Sequence, residues 1–279
     1  MEVSSPGRIC LFGEHQDYLG LPVVAMAISL RAKIVGQKRE DQQVIIHKPD
    51  ISESEKFSLD GLSYTKQRDY FKSGINICIR EGLVFSNGFE CEITSKIPIQ
   101  AGVGSSSAVM VNWIHFLTQM ADTPVIWNEQ KIGELAYRAE VLEFNEPGGM
   151  MDQYTASMGN MIYLISEPTI SIKSLNPILG SFVLGDSCEP KDTMGILQRC
   201  RDARVKIIQK LKEKTPNFNI HNSEDVDLSL LNEEEKNIFR GTIKNRNILR
   251  KVLPELNREA PKPDLIGARL IEHHAVLRD

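Results

Sequence analysis

The chain of 279 residues is long enough for one large domain or two modest ones, and 41% hydrophobic with 25% charged residues is the balance of an ordinary globular protein. A formal net charge of -4 gives no electrostatic reason to expect nucleic acid as a partner. The five cysteines, Cys10, Cys78, Cys91, Cys188 and Cys200, are scattered and never form a CxxC pair, which argues against a disulfide framework or a zinc site and fits a reducing cytoplasm. No basic-then-apolar leader opens the chain, and the longest apolar run, Leu21 to Leu30, is too short to span a bilayer, so neither export nor a membrane is expected.

In chain order, "RAKIVG" and "QQVIIHK" are β-branched runs separated by the charged turn KREDQ, which predicts an antiparallel hairpin. "GFECEITSKI", 88 to 97, alternates Phe89, Cys91 and Ile93 against Glu90, Glu92 and Thr94, the period of a strand with one buried face. Met110, Trp113, Ile114, Leu117 and Met120 then recur at helical spacing, predicting an amphipathic helix over about 105 to 121. Ile132, Leu135, Ala136, Ala139 and Leu142 mark a second helix that ends before "NEPGG". "MIYLI", "ISIKSL" and "SFVLGD" read as strands, followed by helices over about 192 to 214 and around Leu249, Val252, Leu253 and Leu256. A domain boundary is expected near 166 to 170, and the acidic stretch Glu224 to Glu235 reads as solvated surface with a helix start.

Three segments carry candidate chemistry. "IQAGVGSSSAVM" runs from a strand through Gly102, Val103 and Gly104 to Ser105, Ser106 and Ser107 at a helix N-terminus. Glycines let a backbone approach a ligand, and free N–H groups at a helix N-terminus attract phosphate, but a turn that only caps the helix has the same order of residues. No GxxxxGK[ST] is present, and Ser107 stands where GxGxxG needs its third glycine, so neither common phosphate loop fits. "SSPGRICLFGEHQDYLG" sets Arg8, Glu14, His15 and Asp17 among glycines; a strand with solvated charges is the plain alternative to a site with a fixed cation and acceptors for hydroxyls. In "EPGGMMDQYTASMG", Asp152 follows a glycine pair between apolar residues, either as a helix N-cap or as a functional acid that needs a partner.

Together these segments resemble the GHMP kinase superfamily and, within it, the galactokinase group. "PGRICLFGEHQDY" is similar to the galactokinase signature, "PIQAGVGSSSA" to the superfamily's ATP loop, and "AEVLEFNEPGGMMDQYTASMG" to the stretch holding the catalytic aspartate, with "RDYFKSGI" and "GARLIEHHAVLRD" as further matches. The resemblance implies an α+β fold in two parts: a domain like ribosomal protein S5 domain 2 over 1–168 and a ferredoxin-like domain over 169–279. It implies Asp152 and Arg8 as catalytic residues, Glu14, His15 and Asp17 as sugar ligands, Gly102 to Ser107 as the ATP phosphate loop, and Ser106 with Glu140 as contacts of Mg²⁺. The implied reaction is ATP-dependent phosphorylation of a monosaccharide, galactose or a related sugar, at its anomeric hydroxyl. A neighbouring arginine weakens a carboxylate as a base, which leaves Asp152 an orienting task besides.

Departures keep two rivals open. Cys10 replaces the usual asparagine and Gly20 comes one position early, beside the implied sugar site. The family's third glycine-rich motif should follow "HHAVLRD", where the sequence ends, so the C-terminal domain is expected to be cut short before it. A sugar and ATP sensor without turnover accounts for that loss; a mevalonate-type kinase shares "LFGEH" and the serine loop but gives Asp17 no task. His47, His115 and His221 lack partners at metal-ligand spacing, His273 and His274 carry no assigned chemistry, and the oligomeric state is not legible.

Overall fold

A computed structural model describes residues 1–185, 193–223 and 226–278. In chain order the elements are β1 (Glu2–Phe12), β2 (Val23–Lys38), β3 (Gln43–Lys48), β4 (Glu53–Ser58), α1 (Tyr70–Arg80), β5 (Phe89–Ser95), α2 (Ser105–Met120), α3 (Glu129–Tyr137), α4 (Met151–Met158), β6 (Met161–Ile165), β7 (Ser171–Leu175), α5 (Thr193–Lys214), α6 (Glu233–Leu256) and α7 (Pro263–Arg278). The class is α+β, as the sequence led one to expect. The chain divides into two compact units, one of residues 1–9, 27–146 and 152–159, the other of residues 10–26, 147–151 and 160–279.

In the first unit the strands run in the order β4, β3, β5, β2. The hairpin expected between β2 and β3 is not formed: β5 pairs antiparallel with β2, Ile34 opposite Ile93, and parallel with β3, Ile46 opposite Cys91. The charged turn that looked like a hairpin loop instead lies against the entry to β5, with Arg39 N–H donating to Gly88 O and Gly88 N–H to Asp41 O. The pattern of β-branched residues told which runs are strands, not which runs are neighbours.

The apolar face of these strands, including Ala32, Ile34, Val44, Ile46, Phe89, Cys91 and Ile93, packs with α1, α2 and α3 into one core. Burying this face offers the largest favourable term available to such a layer. Phe89 of β5 sits edge-on to Trp113 and Phe116 of α2 at 5.7 Å each, and Trp113 Nε1 donates to Phe71 O, which satisfies its one donor. The five helical positions named for α2 from the sequence are all buried.

The helix marked by Ile132 to Ala139 ends differently from its 3.6-residue pattern. A π turn over Arg138–Leu142 follows α3, with Glu143 N–H donating to Arg138 O and Glu146 N–H to Val141 O. Each turn of this kind carries one more residue than an α turn. The buried face therefore falls on Ala139, Glu140 and Val141, while Leu142, expected inside, is 55% exposed.

The second unit pairs Val23–Met26 of β2 with β6 and β6 with β7, both antiparallel. Its apolar cluster joins Leu19 and Leu21 to Ile207 and Leu211 of α5 and Phe239 of α6. Asn232 caps α6 with a reciprocal bond to Glu235, the helix start read from the acidic stretch; Glu224 and Asp225 lie outside the described residues. "SFVLGD" is not a strand over 181–185, where Val183 is fully exposed and no ladder partner is present among the described residues; Asp186 lies outside them. Among the described residues, Cys78, Cys91 and Cys200 are free thiols, and Cys188 lies outside them. No described helix is long and apolar enough to cross a membrane.

Candidate active site

The first group of candidate residues lies within the first unit and is built on β1. Arg8 N–H donates to Val103 O at 2.9 Å, so the glycine-rich loop lies along the strand that carries Arg8. From there the guanidinium reaches both ways: Nη1 donates to Gly102 O at 2.5 Å, Nε to Asp152 Oδ1 at 2.7 Å, and Nη2 to Asp152 Oδ2. A planar fork matched to a carboxylate fixes both direction and distance. The pair is part-buried, with Arg8 12% and Asp152 26% exposed at their side chains. Asp152 is thus in the first turn of α4 and engaged with Arg8, not spent as an N-cap.

Gly104 precedes α2 with φ +73°, and a Cβ there would come within 3.1 Å of Arg8 Cγ. Both the left-handed backbone and the closeness of Arg8 call for glycine. No side chain caps the helix; of the serines that follow, Ser106 bonds to Glu140 and Ser107 to Gln153. The first-turn amides and the dipole of α2 give that end a partial positive charge suited to phosphate. Val103 is buried, Ser105 lies at the first helical position, and Ser106 Oγ donates to Glu140 Oε1 at 2.5 Å.

Glu140 is delivered to this point by the π turn and is 6% exposed. Burial pushes its carboxyl above the usual range, the donors Ser106, Gln153 and Ser107 act in the opposite direction, and the charge of Asp152 adds to the rise. Gln153, not singled out from the sequence, donates through Nε2 to Glu140 Oε2 at 2.7 Å and to Ser107 Oγ at 3.2 Å. Its position next to Asp152 was the only signal, and no periodicity marks it. Its buried Oε1 has no partner among the described residues.

A buried carboxylate beside a hydroxyl fits a hard cation such as Mg²⁺, which takes one or two carboxylates and completes its shell with phosphate and water oxygens. Among the described residues no group of three or more His, Cys, Asp or Glu is placed to hold a metal ion.

Glu14, His15 and Asp17 belong to the second unit, in the turn after β1. Gly13 (φ +87°) and His15 (φ +61°) bend the chain there. The Glu14 carbonyl accepts from Asn245 Nδ2 at 3.0 Å, the His15 ring lies 6.2 Å from that of Tyr18, and buried Asp17 accepts from Met151 N–H at 3.2 Å and Tyr18 N–H at 3.1 Å.

Comparison with known proteins fits this geometry. Residues 69–160 match the GHMP kinases N-terminal domain and residues 1–38 the galactokinase galactose-binding signature. The mevalonate kinase of Pyrococcus abyssi is 27% identical over 96% of this chain and 84% of its own length; the galactokinase of Pyrococcus furiosus is 33% identical over 58% of this chain and 46% of its own. Among solved structures, Lactococcus lactis galactokinase complexed with galactose matches with a TM-score of 0.80 at 19% identity, over 100% of this chain and 74% of that one. Methanococcus jannaschii mevalonate kinase matches at 0.67 and 16%, over 100% and 78%. These likenesses give the fold, and the two family matches, to the GHMP kinases N-terminal domain over 69–160 and to the galactokinase galactose-binding signature over 1–38, enclose Arg8, the serine loop, Glu140 and Asp152.

Proposed function

We propose that the protein transfers the γ-phosphoryl group of ATP to a hydroxyl of a monosaccharide, galactose or a close relative, at the anomeric position. The observation that carries phosphoryl transfer is the bridge made by Arg8 between Asp152 and the Gly102 carbonyl, residues 144 and 94 positions away in sequence. The sugar is supported by the galactose-binding signature over residues 1–38, which contains Glu14, His15 and Asp17.

In this reading Gly102 to Ser107 receive the phosphates on the amides at the start of α2, and Ser106 with Glu140 hold Mg²⁺. Bound there, the metal would neutralise charge on the phosphate oxygens. Arg8 fixes both oxygens of Asp152, so the carboxylate presents its remaining lone pairs in one orientation. Asp152 accepts the proton of the attacking hydroxyl as the phosphorus–oxygen bond forms, and Arg8 balances the charge that gathers beside the transferring group. The family's two domains are assigned to 1–168 and 169–279.

A second reading, a mevalonate-type kinase, is favoured by one observation: the mevalonate kinases of Pyrococcus abyssi and Pyrococcus furiosus match over 96% of this chain. An ADP-release screen over galactose, galacturonate, N-acetylgalactosamine, arabinose and mevalonate separates the readings. Turnover with a sugar alone supports the proposal, and turnover with mevalonate alone overturns it. Sugar and Mg·ATP binding by calorimetry with no ADP released would make the protein a sensor.

A further inference from the structure

His273 lies in α7, in the "HHAVLRD" stretch to which the sequence assigned no chemistry, and it is buried at 6% exposure. Its Nε2 is 3.3 Å from the amide nitrogen of Gly13, the donor, so this ring nitrogen is the acceptor and the proton of the neutral imidazole belongs on Nδ1. The ring is also edge-on to Phe12, with centroids 5.8 Å apart. Two further bonds hold the same turn: Asn245 Nδ2 donates to Glu14 O at 3.0 Å, and Gln16 Nε2 donates to Thr242 O at 3.0 Å. The turn cannot shift without breaking these bonds. A Cβ on Gly13 would meet Pro22 O at 2.6 Å and Leu249 Cδ1 at 3.1 Å, so its backbone is closely surrounded.

Of the three bonds, the one from Gly13 ends on a titratable group. An imidazolium has an N–H at both nitrogens and cannot accept, so protonation would set one donor against another. We infer that His273 is a positioning residue for the segment 13–17, which carries Glu14, His15 and Asp17, and that it holds this segment only while its ring is neutral. Burial lowers the His273 pKa below its ordinary value, Glu14 on the facing turn opposes that, and His274 on the same helix adds to it. The sign follows: a ring that resists protonation when folded gives a stabilising contact that is complete above about 6.5 and is lost as pH falls through the lowered value. The consequence for substrate rests on the sugar-binding reading of Glu14, His15 and Asp17; the clamp itself does not.

The test compares wild type, His273→Gln and His273→Leu. Glutamine can place its Oε1 where Nε2 accepts and does not titrate; leucine cannot accept at all. Hydrogen exchange of the Gly13 amide, corrected for intrinsic rate and followed from pH 7.5 to 5.5, should show wild-type protection falling with acid and His273→Gln protection staying level. His273→Leu should lose roughly fivefold at either end, the scale of one ordinary hydrogen bond. The KM for whichever substrate releases ADP should rise in acid for wild type and stay flat for His273→Gln. Equal protection in wild type and His273→Leu, or the same acid-dependent loss in His273→Gln, overturns the inference. Should exchange behave as stated while no sugar is turned over, the clamp stands and the sugar-kinase reading falls; turnover with unaltered exchange gives the reverse.

Discussion

Two glycine-containing turns of this protein are held by different means. The loop of residues 100–104 is tied by charge: a guanidinium that spans Gly102 and Asp152, with a buried carboxylate gathering hydroxyl and amide donors close by. In the turn of residues 13–17 an asparagine amide, a glutamine amide and an imidazole act on main-chain atoms, beside the Asp17 carboxylate that accepts from Met151 and Tyr18 N–H. On the proposed function, a site that accepts a phosphate and a metal has reason to keep its charges fixed beforehand, because fixed charges need no reorganisation when the ligand's own charge develops. On the same proposal, a turn that presents side chains to an uncharged sugar needs only a fixed backbone.

Substitutions can sharpen or break this contrast. Asp152→Asn keeps the shape and removes the base; turnover should fall by about 10²- to 10⁴-fold with little change in the KM for ATP, measured by coupled ADP release. Equal loss in KM and little in turnover would reduce Asp152 to a support for Arg8. Gln153→Met, which removes the amide donor to Glu140, should raise the Mg²⁺ concentration for half activity by about tenfold and weaken Mn²⁺ binding to the ADP complex as seen by electron paramagnetic resonance. Ser106→Ala should raise the same requirement further while leaving sugar KM alone; an unchanged metal requirement would return the loop to being a helix start.

Gly104→Ala places a Cβ against Arg8 in a left-handed backbone, and about 1–2 kcal/mol of stability should be lost in a thermal or denaturant titration. The smallest effect belongs to the turn of residues 13–17. Asn245→Ala removes one ordinary hydrogen bond to Glu14 O, with an expected loss of about 1 kcal/mol, read as a sugar KM several-fold higher at constant turnover. If that variant instead lowered turnover as Asp152→Asn does, the contrast between the two turns would be mistaken.

Much of this was legible in the chain. Alternation over 89–94 and helical spacing over 110–120 found β5 and α2 because both pack one apolar face on a single core. The pairing of β2 with β5 was hidden, since long-range partners leave no local pattern and a charged turn serves a hairpin and a crossover equally well. Arg8 and Asp152 could be named from residue type and motif, but their bidentate contact, and the service of Gln153 to Glu140, depend on three segments brought together by the fold. Leu142 was misplaced because the spacing rule assumes one helical period throughout.

That last error points to where the length of this chain is set by chemistry. A helix that runs on from α3 without the π turn would need one residue fewer, and nothing in its backbone bonding would suffer. Yet each residue of an α-helix turns about 100° around the axis, so removing one from 138–142 would swing every later side chain by that angle relative to α3, and a deletion before Glu140 would carry its carboxylate away from Ser106. Surface loops of the same chain can vary in length at little cost. Here a single residue is the difference between a helix that only folds and one that presents the Glu140 carboxylate to Ser106.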